Sequence, residues 1–139
     1  MNYRVSTYAD RIGNNKGFIV EAEGKILEEK ISKFEGNNIK ENALQVVLQG
    51  LRACRNKVSH NDILLIEVQN VHLCNWLNGL KEYEGYNVWL DKIFELIETL
   101  DCRYLFYFNK KPFAKDYIKG KGVTKVEVSS IDDMMSDFE

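Results

Sequence analysis

The chain has 139 residues, 45% hydrophobic and 29% charged, with a formal net charge of −2. That length suits one domain around one core, and that balance excludes a disordered polymer. A single proline excludes a Pro-rich linker, no apolar run reaches the ~20 residues that a bilayer span needs, and residues 1–10 lack the apolar run of a signal peptide, so a cytoplasmic protein without membrane contact is expected.

Three cysteines, Cys54, Cys74 and Cys102, form an odd and widely spaced set without a CxxC pair, and the two histidines, His60 and His72, lie far apart. This pattern suits reduced thiols in a cytosol and argues against a zinc site. The charge balance lacks the Lys and Arg excess typical of nucleic-acid binders. A cluster of catalytic carboxylates lowers net charge by itself, so the balance counts weakly.

Residues 3–10 are β-branched and aromatic enough for a first strand, which ends at Asp10. Gly13-Asn14-Asn15-Lys16-Gly17 is turn chemistry, and residues 17–22 and 25–34 read as strands two and three around a tight Glu23-Gly24 hairpin. Leu44, Val47, Leu48 and Leu51 recur at helical spacing, and Glu41 opens that helix on the same face. A carboxylate there is costly unless it is solvated, paired or bound to metal. Ile63-Leu64-Leu65-Ile66 suits a central strand covered on both faces, with strand four over 62–68. A short helix over 70–78 and a longer one over 86–100 follow, then a fifth strand over 103–108. Pro112 opens a last helix and Gly120 closes it. The order β-β-β-α-β-α-α-β-α predicts an α/β domain over residues 1–120, with antiparallel strands 1–3, parallel later strands and helices on both faces. In the remaining 121–139, residues 123–128 are a candidate edge strand. Residues 131–139 form an acidic tail with apolar members, read either as frayed chain or as a docking segment for a protein partner.

This order resembles the ribonuclease H superfamily, and the motifs fall where the resemblance requires. Thr7-Tyr8-Ala9-Asp10 precedes the glycine-led strand Gly17-Phe18-Ile19-Val20. Asn37-Asn38-Ile39-Lys40-Glu41 matches the family's Asn-Asn-x-x-Glu helix start. Asn75-Trp76-Leu77 matches an Asn-Trp-Leu-like segment after strand four, and Ala114-Lys115-Asp116-Tyr117 carries the last acid. The resemblance covers residues 3–119 and implies a ribonuclease H-like mixed five-stranded sheet. It also implies a site for one or two Mg2+ or Mn2+ ions held by Asp10, Glu41 and Asp116, and RNA–DNA hybrid or duplex nucleic acid as partner. Three departures stand out. Arg11 follows Asp10 where the family has glycine, Lys110-Lys111 occupies the short connection where the family has a mobile glycine-histidine loop, and Gln69 falls at the third carboxylate position. Glu67 faces the same side of the strand as Gln69 but lies about 6–7 Å back along it.

Two-ion phosphodiester hydrolysis needs carboxylates that hold the metals ~4 Å apart. The resemblance makes Asp10 the bridging ligand, with Glu41 and Asp116 each favouring one ion and Gln69 offering a neutral carbonyl oxygen. Losing one negative charge among four weakens such a site, so two readings stand: a divalent-metal-dependent nuclease on RNA–DNA hybrid or structured RNA, and a degenerate domain that binds nucleic acid or protein without cleaving. Each residue has a plainer reading. Asp10 starts a loop, Glu41 complements a helix dipole, Asp116 is solvated, and Gln69 is a polar strand end. By resemblance Asn37 and Asn38 contact the minor groove of a hybrid and Trp76 lies against a deoxyribose. A helix N-cap and a core residue are the alternatives. Lys110, Lys111, Lys115, Lys119 and Lys121 cluster near the last helix, as a phosphate-binding patch or a solvated face.

Overall fold

The computed structural model describes residues 1–79 and 86–122. The expected edge strand over 123–128, the acidic tail and the boundary of a separate C-terminal segment lie outside the described residues.

The elements are β1 (Asn2–Asp10), β2 (Asn15–Ala22), β3 (Lys25–Lys33), α1 (Ile39–Ala53), β4 (Ile63–Val68), α2 (Val71–Leu77), α3 (Asn87–Leu100), β5 (Arg103–Phe108) and α4 (Ala114–Gly122). The five strands form one mixed sheet in the order β3-β2-β1-β4-β5. β1 pairs antiparallel with β2 and β2 with β3, whereas β1–β4 and β4–β5 are parallel. This is the expected ribonuclease H-like architecture. No described helix is long and apolar enough to cross a membrane.

Local chemistry sets the boundaries. Asn14 adopts φ 53°, which tightens the first turn. β2 therefore begins at Asn15, two residues earlier than the glycine suggests, and its ladder reaches Asp10↔Asn15. Glu23 at φ 54° and Gly24 at φ 76° form the two-residue hairpin, where Gly24 carries positive φ without a Cβ penalty. The Asn38 side chain caps α1 by accepting from the Glu41 N–H at 3.0 Å, and Asn70 caps α2 by accepting from His72 and Leu73. α4 starts at Ala114 rather than Pro112, because the Ala114 N–H donates to Ser6 Oγ at 2.8 Å and fixes the first turn there.

The period-two alternation of β1 divides the core. Val5 and Ala9 face α1, in a cluster with Phe18, Val20, Leu44, Val47, Leu51, Leu64, Ile66, Ile93 and Phe106. Tyr8 faces the other way, in a small cluster with Ile19, Ala114 and Ile118 beneath α4. Cys54 and Cys74 are buried and unbridged, as core thiols should be.

α4 packs closely over Gly17. A Cβ built there would stand 2.1 Å from Ile118 Cδ1 and 2.4 Å from the Lys30 carbonyl oxygen. The isoleucine can turn away, but the β3 backbone cannot. Gly17→Ala is therefore expected to lower unfolding free energy by about 1–3 kcal/mol through overpacking. A urea-unfolding midpoint equal to wild type would refute this close approach of the β3 backbone to Gly17.

Candidate functional site

Four segments end on one side of the sheet. β1 and β4 run parallel, so Asp10 and Gln69 lie at neighbouring carboxyl ends. β3 delivers the chain to α1 at that side, because Lys33 pairs with Asn15. β5 is parallel to β4 and delivers α4 there. Asp10, Glu41, Gln69 and Asp116 thus all belong to the end of the sheet where loops of open α/β folds bind ligands.

The side chains are less convergent than that topology promises. Asp10 is 6% exposed. Its Oδ1 accepts from the Ile12 N–H at 3.2 Å and its Oδ2 from the Gly13 N–H at 3.3 Å, so it closes the β1–β2 turn. Glu41 is half-buried in the first turn of α1, and its Oε1 faces Gln45 Nε2 at 3.5 Å. Asp116 is exposed in the first turn of α4. Among the described residues no three His, Cys, Asp or Glu side chains form a group able to hold a metal ion. The compact cage expected from Asp10, Glu41 and Asp116, with oxygens about 4–7 Å apart, is not preformed.

Gln69 is the clearest departure from a ligand role. Its Oε1 accepts from the Ala9 N–H at 2.6 Å and its Nε2 donates to the Ala9 carbonyl at 3.0 Å. The side-chain amide mimics a backbone unit and adds one rung to the β1–β4 ladder. Its oxygen is already engaged with the β1 backbone, and a neutral amide brings no negative charge to a metal. These residues therefore do not fit a two-ion centre as they stand.

Glu67 does not replace the missing acid either. It is 1% exposed and takes hydrogen bonds from Ser6 Oγ (2.6 Å), the Phe113 N–H (2.6 Å), Asn109 Nδ2 (2.9 Å) and the Tyr107 hydroxyl (3.0 Å). Arg4 lies 4.0 Å away. Burial alone would raise this carboxyl's pKa, but the bonds from Ser6, Asn109, Phe113 and Tyr107 outweigh it and hold it below the usual range. Tyr107 is pushed up to about 12, by burial and then by the Glu67 charge. Ser6 and Glu67 together pin both ends of residues 109–114, and so set where α4 begins.

The binding candidates divide. Asn37 is exposed. Asn38 caps α1 and also donates to the Tyr86 hydroxyl at 2.8 Å. Trp76 is 2% exposed and stacks on Tyr86 with ring centroids 5.6 Å apart, so it is a core residue rather than a platform for a sugar. Lys110 and Lys111 are exposed, and Lys115 is half-buried. Lys119 leaves the expected patch, because it is 8% exposed with Nζ 5.9 Å from the Tyr8 ring.

One residue near the site was read from sequence only as part of a turn. Lys16 is 1% exposed, and its ammonium donates to Asn42 Oδ1 at 3.0 Å and to Gln45 Oε1. The available signal was a pair of polar residues, Asn42 and Gln45, inside the apolar face of α1. Buried amides demand a polar partner.

No family model matches the sequence, and no curated protein matches it. The structure is similar to the N-terminal ribonuclease H domain of a Mycobacterium tuberculosis protein, at TM-score 0.67 and 10% identity over 86% of this chain and 95% of that one. It is also similar to ribonuclease H1 from Halobacterium salinarum, at TM-score 0.63 and 13% identity over 84% and 89%. A third likeness is LC11 ribonuclease H1 solved with an RNA/DNA hybrid, at TM-score 0.61 and 12% identity over 84% and 91%. At such identities the likeness shows the fold, which is ribonuclease H-like.

Proposed function

We propose that this ribonuclease H-like domain binds RNA–DNA hybrid or duplex nucleic acid at the Asp10 end of the sheet without cleaving it by two-ion hydrolysis. The observation that carries the second half is Gln69. A neutral amide engaged with Ala9 stands where a third carboxylate would be needed. The first half is supported by the fold, by the neighbour solved with hybrid, and by the exposed pair Lys110 and Lys111 beside α4. Asn37 adds an exposed amide at the mouth of α1, suited to shape-based contact with 2′-hydroxyls. Recognition of this kind reads the backbone and groove width rather than base sequence.

Lysine contacts with phosphates release counterions, so affinity for a labelled hybrid should fall steeply with salt. Lys110→Ala/Lys111→Ala should flatten the slope of log K against log salt by up to about 0.9 per lost duplex phosphate contact. Fold stability should stay within about ±0.5 kcal/mol, as for exposed surface changes. Hybrid binding without salt dependence, or none at all, refutes the nucleic-acid reading. Cleavage in Mg2+ or Mn2+ that is abolished by Asp10→Asn refutes the non-cleaving half and restores a metal-dependent nuclease.

A further inference from the structure

Lys16 is the largest buried polar investment at the candidate site, and hybrid binding makes no use of it. An isolated ammonium in an apolar interior is strongly disfavoured unless hydrogen-bonded and charge-balanced. Its direct partners are both neutral amide oxygens, on Asn42 and Gln45. Neither is free to leave. Asn42 is fully buried and makes four bonds. Its Oδ1 also accepts from the Glu35 N–H at 2.9 Å, and its Nδ2 donates to the Glu35 carbonyl at 3.0 Å and the Asn38 carbonyl at 2.8 Å. Gln45 donates from Nε2 to Glu41 Oε1 at 3.5 Å. A relay therefore runs from Lys16 through Gln45 to Glu41, one of the acids assigned by resemblance to metal. Burial draws the ammonium's pKa below its usual range, while the Glu35 and Glu41 charges act to raise it.

We propose that Lys16 is a built-in counter-ion, enclosed beneath the first turn of α1, which balances Glu41 through Gln45 and so takes the electrostatic place of a divalent ion at this end of the sheet. The assignment shares its location with the hybrid-binding reading, but its test involves no nucleic acid. A fixed cation beside Glu41 disfavours a second, divalent one by like-charge repulsion. It also leaves this end less negative towards an approaching phosphate backbone.

The sign of a charge-removal effect separates this arrangement from an empty metal cage. In an empty cage neighbouring acids repel, so neutralising one stabilises the fold. In a balanced arrangement neutralising Glu41 strands the lysine. Glu41→Gln is therefore expected to lower the melting temperature by a few degrees. Loss of a first-turn acid from the helix dipole acts in the same direction. The cycle of wild type, Lys16→Met, Glu41→Gln and the double variant removes that ambiguity, because only a Lys16–Glu41 coupling makes Glu41→Gln less harmful in the Lys16→Met background. Additive effects, or a rise in melting temperature for Glu41→Gln, overturn the proposal.

The second measurement is Mn2+ binding, followed by the paramagnetic signal of the free ion. Wild type should show no saturable binding below millimolar concentration. Lys16→Met should bind about tenfold tighter or more, about 1.4 kcal/mol per decade, and lose that gain when Glu41→Gln is added. If Lys16→Met does not fold, Lys16→Gln takes its place in both measurements. Saturable sub-millimolar binding by wild type that Glu41→Gln removes, or no gain in binding when the lysine charge is removed, overturns the proposal. None of these failures touches the hybrid titration, so the two readings stand or fall separately.

Discussion

Glu67→Gln should cost this protein about 3–5 kcal/mol, the range for removing a buried, hydrogen-bonded charge. The substitution conserves shape and replaces one carboxylate oxygen by an NH2 group. Glu67 faces only donors: Ser6 and Phe113 at one oxygen, Tyr107 and Asn109 at the other. The hydroxyls can turn, but the Phe113 N–H cannot. Asn109 cannot flip freely, because its Oδ1 already accepts from the Lys111 N–H at 3.1 Å. In either amide orientation two donors meet head-on. Ser6 also loses its orientation as acceptor for Ala114, so the start of α4 loosens. Wild type carries a matching acid sensitivity. The folded pKa of Glu67 lies below its unfolded value of about 4.3, so the unfolded chain binds the proton first. The stabilisation is complete above that pH and drains away as pH falls through the folded value. Urea unfolding of both proteins from pH 7 downwards should show the gap narrowing in acid. A constant gap at every pH would exclude the carboxylate as its source.

Gln69→Asp is the second substitution with a large expected effect. If Gln69 were only a ligand that had lost its charge, aspartate would restore the charge and raise metal-dependent cleavage. The geometry predicts a loss instead. Aspartate is one methylene too short to reach the Ala9 N–H and carbonyl, and its second oxygen would face that carbonyl rather than donate to it. Ala9 is 1% exposed, so both of its polar groups would be left without a partner. Unsatisfied buried groups cost about 1–3 kcal/mol each. A fall of that size in unfolding free energy, with no gain in Mg2+-dependent hybrid cleavage, is expected. A tenfold rise in cleavage from an equally stable variant would return Gln69 to the metal site.

Much of this was legible from residues. The Leu44-Val47-Leu48-Leu51 stripe and the Asn38 cap each report their own surroundings, and each fell where expected. The Ile63–Ile66 run fell in β4, but only Leu64 and Ile66 are buried; Ile63 and Leu65 are half-buried, because the opposite face of that strand is less covered than a continuous apolar run suggests. Placing Asp10, Glu41 and Asp116 at one end of the sheet required only the order of elements. Their failure to converge was not legible, because it depends on where each oxygen finds a donor, and for Asp10 those donors are the next turn's own N–H groups. Glu67 hid for a different reason. Its partners lie 40 to 61 residues away in sequence, and two are a tyrosine and an asparagine that look like ordinary surface residues. Lys16 sat inside a polar turn signal, and only the tertiary placement of α1 over β2 converts it into a core residue.

The thin footing of α4 has a dynamic consequence. A core of Tyr8, Ile19, Ala114 and Ile118 holds it, against more than twenty buried residues under α1 and α3. The polar clasp of Ser6 and Glu67, and Lys119 over the Tyr8 ring, add to that hold. Regions with few buried apolar contacts open at free energies below the global value. Amide hydrogens of α4 should therefore exchange sooner than those of α1 and as one cooperative unit, carrying Asp116 away from Asp10 and uncovering Gly17 and Tyr8 while the sheet remains folded. Acid that protonates Glu67 should accelerate this partial opening before it unfolds the rest.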